Sequence, residues 1–209
     1  MTRSFGNRWP QVNCSYPSEL KRRYDKENEF DHWFVKYYGH WPFHESILNS
    51  NQIPHSHRPP RFSKNESRSF NELYMAIKYL DAGYEVHCGY RSEKEHQCDR
   101  SYKMAVEVLG EAHTSVLGLG KGAEPPDLLV IQPSTCKFRF VECKGPSERP
   151  TKGQVKRFLE IEEVLNSNPP PCGEPLSDPM REDLFPHLDP GRWVHIVRVV
   201  PMPQISDGP

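Results

Sequence analysis

Apolar and polar positions along this chain alternate with two different periods, and from residue 61 onward the switches between them are sharp. Phe70, Leu73, Ile77 and Leu80 recur at helical spacing, and Gly83 closes the run. Ser69 is the expected N-cap, with Glu72 three residues on as the reciprocal member of a capping box. Residues 84–90 follow as a short strand, and 94–112 as a second helix with Met104, Val108 and Ala112 on one face. A glycine-rich loop, Gly118 to Gly122, and Pro125-Pro126 lead into an apolar strand over 127–132. A turn over 133–136 connects it to a second strand over 137–144, which Gly145-Pro146 stops. Residues 151–165 form a helix with Val155, Phe158, Leu159 and Glu162 at helical spacing. After a proline-rich stretch over 168–190, the last strand runs over 193–200. Helices alternating with strands in this order predict an α/β domain with one mixed central sheet flanked by helices.

The first sixty residues have a different texture. Residues 18–36 are expected to be helical. Beyond them the chain is dense in aromatics and histidine, from Trp33 to Phe43, before Pro59-Pro60. We therefore divide the chain into an aromatic-rich N-terminal extension, 1–60, and a domain, 61–209. The aromatics suit packing onto that domain or a partner better than the stacking of unpaired bases, although aromatic side chains can do either. His40, His44, His55 and His57 are too loosely spaced to read as a zinc site.

Composition narrows the class. The 209 residues are 35% hydrophobic and 26% charged, with no apolar run long enough to span a bilayer and no signal-peptide pattern at the start. The expectation is an intracellular protein, cytoplasmic or nuclear, with no membrane partner. Six cysteines without a CxxC pair suggest reduced thiols. A formal net charge of -1 excludes a polycation, so any nucleic-acid contact must come from a local basic patch.

The chemistry gathers on the central hairpin. If 133–136 is a four-residue loop, Gln132 pairs with Lys137, and stepping outward puts Asp127 opposite Glu142. Directly opposed residues share a sheet face, with Cβ atoms about 4.5–5.5 Å apart. Two carboxylates so close repel unless a cation lies between them, and hard oxygen donors select Mg²⁺ or Mn²⁺. Lys144, two residues beyond Glu142, points to the same face about 6.6 Å along the strand. An ammonium there can orient a water or steady negative charge on a phosphoryl group. The competing reading is a solvated strand end.

Pro126-Asp127 followed by Glu142-Cys143-Lys144 resembles the PD-(D/E)XK signature of restriction-endonuclease-like nucleases. PDLLVI, FVECKGP, Glu148-Arg149 and Gln154 extend the likeness to the VRR-NUC family; it is dense over 125–165 and does not reach the first sixty residues. The resemblance implies a restriction-endonuclease-like core and metal-dependent cleavage of DNA, with branched or flap DNA among the substrates. It makes Asp127 and Glu142 metal ligands, with the Cys143 backbone carbonyl as a further one, Lys144 the catalytic lysine and Gln154 an accessory group. It also asks for an acidic residue from the first helix. Glu72 is the choice and Glu66 the reserve, against the simpler reading that Glu72 only completes a capping box. Cys143 departs from the apolar β-branched residue usual in the family, but only its backbone matters to the site.

Arg149, Lys152, Lys156 and Arg157 form an acid-free basic stretch beside this centre, at a helix N-terminus that itself favours phosphate, and Lys121 lies in the loop before Asp127. These five are the expected nucleic-acid contacts. Two other readings stand beside a deoxyribonuclease: an enzyme acting on RNA, and a catalytically silent module of the same fold that binds nucleic acid or a partner. A homodimer is a further expectation, by analogy from fold alone.

Overall fold

The computed structural model describes residues 11–26, 67–88, 100–117, 125–185 and 191–203. The aromatic stretch 33–43, the four histidines named above, Glu66 and Lys121 lie outside them. The elements are β1 (Gln11–Tyr16), α1 (Ser18–Lys26), α2 (Ser67–Asp81), β2 (Glu85–Cys88), α3 (Arg100–Leu109), α4 (Glu111–Val116), β3 (Leu128–Ile131), β4 (Phe138–Lys144), α5 (Lys152–Ser167), a 3₁₀ turn (Pro179–Arg181) and β5 (Val194–Pro201). Among the described residues no helix is long and apolar enough to cross a membrane.

The strands form one mixed five-stranded sheet in the order β1-β5-β4-β3-β2. β2, β3 and β4 are antiparallel neighbours, while β5 runs parallel to both β4 and β1. This is the mixed α/β sheet that the alternation of periods predicts. The crossover through α5 is what a parallel β4–β5 pair requires, since a tight hairpin can join only antiparallel strands.

Strand side chains alternate between faces, and each face has its own core. Val141 and Cys143 of β4 join Leu128 and Val130 of β3 and Val197 and Val199 of β5 against Phe70, Met75 and Tyr79 of α2, with Leu184 and Phe185 closing the layer. Phe138 and Phe140 join Leu129, Ile131, Val194 and Ile196 against Val108 and Leu109 of α3 and Phe158, Ile161 and Leu165 of α5. β4 is buried along its whole length, as expected for a strand covered on both sides. By the same alternation, Glu142 and Lys144 point to the α5 side.

Three sequence expectations change. β1 was not foreseen: residues 11–16 belong to the sheet rather than to a separate extension, with Cys14 and Tyr16 buried in the α2-side core. Of the helix expected over 18–36, Ser18–Lys26 is described and the rest lies outside the described residues. The single helix expected over 94–112 is broken at Gly110, whose φ of 83° an L side chain rarely adopts, and Ala112 is exposed beyond the break. Finally, α2 starts at Ser67, so Ser69 lies inside the helix, and a Ser69–Glu72 capping box cannot account for Glu72.

Candidate functional site

The hairpin register settles where the acidic residues stand. Ile131 pairs with Phe138 and Leu128 with Val141, and the next step outward puts Asp127 opposite Glu142. The connection is a tight four-residue loop in which the Gln132 carbonyl accepts from Thr135 and Cys136 N–H, with Cys136 in the left-handed region at φ 56°. Gln132 N–H then donates to the Lys137 carbonyl, as the sequence reading required.

Asp127 Oδ2 accepts from the Cys143 backbone N–H at 2.7 Å, tying the start of β3 to the end of β4. In return the Asp127 backbone N–H helps to hold the Glu142 carboxylate. Glu142 is 1% exposed, and its Oε1 pairs with the Lys144 ammonium, itself 6% exposed. The same Oε1 accepts from Gln154 Nε2 at 2.6 Å. Asp127, Glu142, Lys144 and Gln154 therefore form one contiguous polar group at the end of an otherwise apolar layer.

Its electrostatics are unusual for structural residues. Burial, and then the Asp127 charge, push the Glu142 carboxyl up to about 7, against the opposing pull of Lys144 and the Asp127 N–H. Removing two ions from water costs several kcal/mol each, of order of magnitude, and a hydrophobic pair of like size is often no less stable. A buried carboxylate facing a second carboxylate is therefore poor as a stabilising device. As an acceptor for a cation or a proton it is well placed.

Glu72 sits on α2, across the other face of the sheet. It is near enough to Cys143 for its charge to raise that thiol, after burial and Asp127. The N-terminal part of α2 approaches the end of β4 closely: Asn71 Nδ2 lies 3.5 Å from where a Cβ on Gly145 would stand. Among the described residues, no three His, Cys, Asp or Glu side chains converge as a ready-made metal cage.

The basic residues divide. Arg149, Lys152 and Lys156 are exposed, with Lys156 reaching Glu160 at 3.7 Å. Arg157 differs from these three: it is 9% exposed, pairs with Glu160 at 3.3 Å, and lies beside core residue Phe158. Its position on the inward side of α5 removes it from the exposed patch.

Three further residues build the site without having been singled out as functional. Arg198, the register neighbour of Lys144 on β5, donates to the Pro146 and Glu148 carbonyls at 3.3 and 3.0 Å and to Gln11 Oε1 at 3.0 Å. Glu148 Oε2 accepts from Gly145 N–H at 2.8 Å. Together they fix the loop between β4 and α5, so that α5 begins where Gln154 reaches Glu142. Thr151 caps that helix. The signals were present: Val194, Ile196 and Arg198 step by two on one strand face, and Thr151-x-x-Gln154 is a capping-box pattern. No protein-family model, curated protein or solved structure matches the chain.

Proposed function

We propose that this protein is a divalent-metal-dependent nuclease of the PD-(D/E)XK type, similar to the VRR-NUC family, that hydrolyses phosphodiester bonds of DNA. The observation that carries the reading is the convergence of Asp127, Glu142 and Lys144 on one sheet face, with Glu142 buried and its carboxyl raised to about 7. The succession α2, β2, α3, α4, β3, β4, α5, β5, with β2–β3 and β3–β4 antiparallel and β4–β5 parallel, is compatible with a restriction-endonuclease-like core.

The donor set suits Mg²⁺ or Mn²⁺. Two carboxylates suffice for an ion that keeps several waters, and oxygen donors match its hardness. Asp127 and Glu142 would hold it, with the Cys143 carbonyl as a further ligand and Glu72 the acidic candidate from α2. When bound, such an ion polarises a phosphoryl oxygen and makes a coordinated water more acidic. Lys144 orients the attacking water and offsets negative charge gathering on the phosphoryl oxygens. Gln154 restrains the Glu142 carboxylate. Arg149 and Lys152, at the exposed start of α5, and Lys156 one turn on hold the phosphate backbone, aided by the helix dipole.

The test incubates the protein with plasmid, single-stranded, flap and four-way-junction DNA, and with RNA, in Mg²⁺, Mn²⁺ or EDTA. Cleavage of DNA that needs the cation and is lost in Asp127→Ala and Lys144→Ala is the expected result. Cleavage that survives EDTA overturns the metal dependence, and unchanged rates in the two variants overturn the site. Cleavage of RNA alone makes the enzyme a ribonuclease, while binding without cleavage makes the chain a silent module of this fold.

A further inference from the structure

The start of α5 contains a device that decides which end of the Gln154 side chain meets Glu142. A glutamine amide has two chemically opposite ends, a carbonyl that accepts and an NH₂ that donates, nearly equal in size. Only the donor end is compatible with a carboxylate; a half-turn about the last side-chain bond would set oxygen against oxygen. In this structure the carbonyl end is already committed. Thr151 N–H donates to Gln154 Oε1 at 3.0 Å, while Thr151 Oγ1 accepts from Gln154 N–H at 3.1 Å, the two halves of a capping box. The remaining Nε2 donates to Glu142 Oε1, the oxygen that Lys144 also pairs with.

We propose that Thr151 is a positioning residue for the Asp127–Glu142–Lys144 centre: its capping box fixes the Gln154 amide with the donor end toward Glu142. Thr151 touches none of the three itself. Its side chain is exposed, and it acts only through the geometry it imposes on Gln154. Helix capping and site assembly thus depend on a single amide, whose oxygen closes the helix while its nitrogen serves the carboxylate. The catalytic part of this inference rests on the nuclease reading; the orienting part does not.

Three variants separate the roles. Thr151→Ser keeps the hydroxyl and should keep everything. Thr151→Ala removes the acceptor for Gln154 N–H and loosens the box. Gln154→Glu keeps an acceptor for Thr151 N–H, hence the cap, but replaces the donor with an oxygen facing Glu142. All three are read by kcat and KM for DNA cleavage in Mg²⁺, and the two Thr151 variants also by the side-chain NH₂ signals of Gln154 in ¹⁵N-labelled protein.

In the wild type and Thr151→Ser, the two amide protons should be well separated and protected from solvent exchange. In Thr151→Ala they should move toward the values of a free glutamine, with kcat down on the order of tenfold, the worth of one hydrogen bond, and KM little changed. Gln154→Glu should lose at least as much kcat and melt earlier than the wild type, because it sets a further carboxylate against the buried Glu142. Unchanged Gln154 amide signals in Thr151→Ala overturn the proposal, as does a Thr151→Ala protein that melts earlier yet keeps its kcat. If the wild type cleaves no nucleic acid, the nuclease reading falls, and the amide signals alone still decide whether Thr151 orients Gln154.

Discussion

Replacing Glu142 by glutamine should make this protein more stable at alkaline pH and slightly less stable in acid. The carboxyl is 1% exposed and raised from 4.5 to about 7, chiefly by burial and secondly by Asp127. A unit of pKa is worth about 1.4 kcal/mol, so ionising Glu142 in the folded state costs about 3 kcal/mol relative to the unfolded chain. The sign follows from proton binding. Between the two pKa values the folded state holds the proton and the unfolded state has lost it, so stability falls as pH rises and levels off above the folded value. Glutamine keeps the shape and never ionises. Its carbonyl can still accept from Lys144 and Gln154, as Oε1 does now. Its NH₂ cannot accept from the Asp127 N–H, a loss of about 1 kcal/mol at every pH. The assay is urea unfolding of both proteins in EDTA from about pH 4 to about pH 9, taken as a difference so that all other titrations cancel. Glu142→Gln should go from about 1 kcal/mol less stable to about 2 kcal/mol more stable than the wild type, a swing of about 3 kcal/mol centred midway between the two pKa values and complete just above neutrality. A flat difference across that range would refute the argument, because it would mean that Glu142 titrates alike in the folded and unfolded states.

Two predictions concern other parts of the molecule. Changing Arg149, Lys152 and Lys156 one at a time to glutamine should leave thermal unfolding unaltered, since all three are exposed, while each lowers the salt slope of DNA binding by about one unit; slopes equal to the wild type would remove α5 from the binding surface. Glu162 accepts from the Val194 N–H at the start of β5, at 2.9 Å, and from Asn166 one turn further along α5, and burial raises its carboxyl above its ordinary value. Glu162→Ala should therefore destabilise the fold by about 2 kcal/mol in urea unfolding, by leaving a buried N–H without a partner, and a change under half of that would assign the residue no structural role.

The parts of this fold that could be read in advance are those with local causes. The β3–β4 register follows from the length of one turn, and that turn fixed the Asp127–Glu142 apposition before any longer-range contact was considered. α5 and its cap are equally local. What was hidden depends on partners far along the chain. Nothing in residues 11–16 marks Val12, Cys14 and Tyr16 as a sheet strand except a short alternation, and their neighbour on the sheet is the last strand. Arg157 looked like one more cation in a basic run. Only the phase of α5, with Phe158, Ile161 and Leu165 turned inward, shows that its neighbour in sequence is not its neighbour on the surface. Glu72 stands between the two cases. Its helix was legible, but which carboxylates face one another across the sheet is set by the packing of α2 on Cys143.

The pairing of β1 with β5 also orders events in time. Gln11 leaves a ribosome well before its sheet neighbour Ile196. Throughout synthesis the antiparallel trio β2–β3–β4 can pair, whereas β1 must wait. β5 is the strand that bridges the two: Glu162 holds its start, and Arg198 on β5 itself reaches the loop after β4 and Gln11 of β1. A chain halted before β5 would leave Cys14, Tyr16 and the edge of β4 without their strand neighbour, so the candidate site is walled in only when β5 arrives.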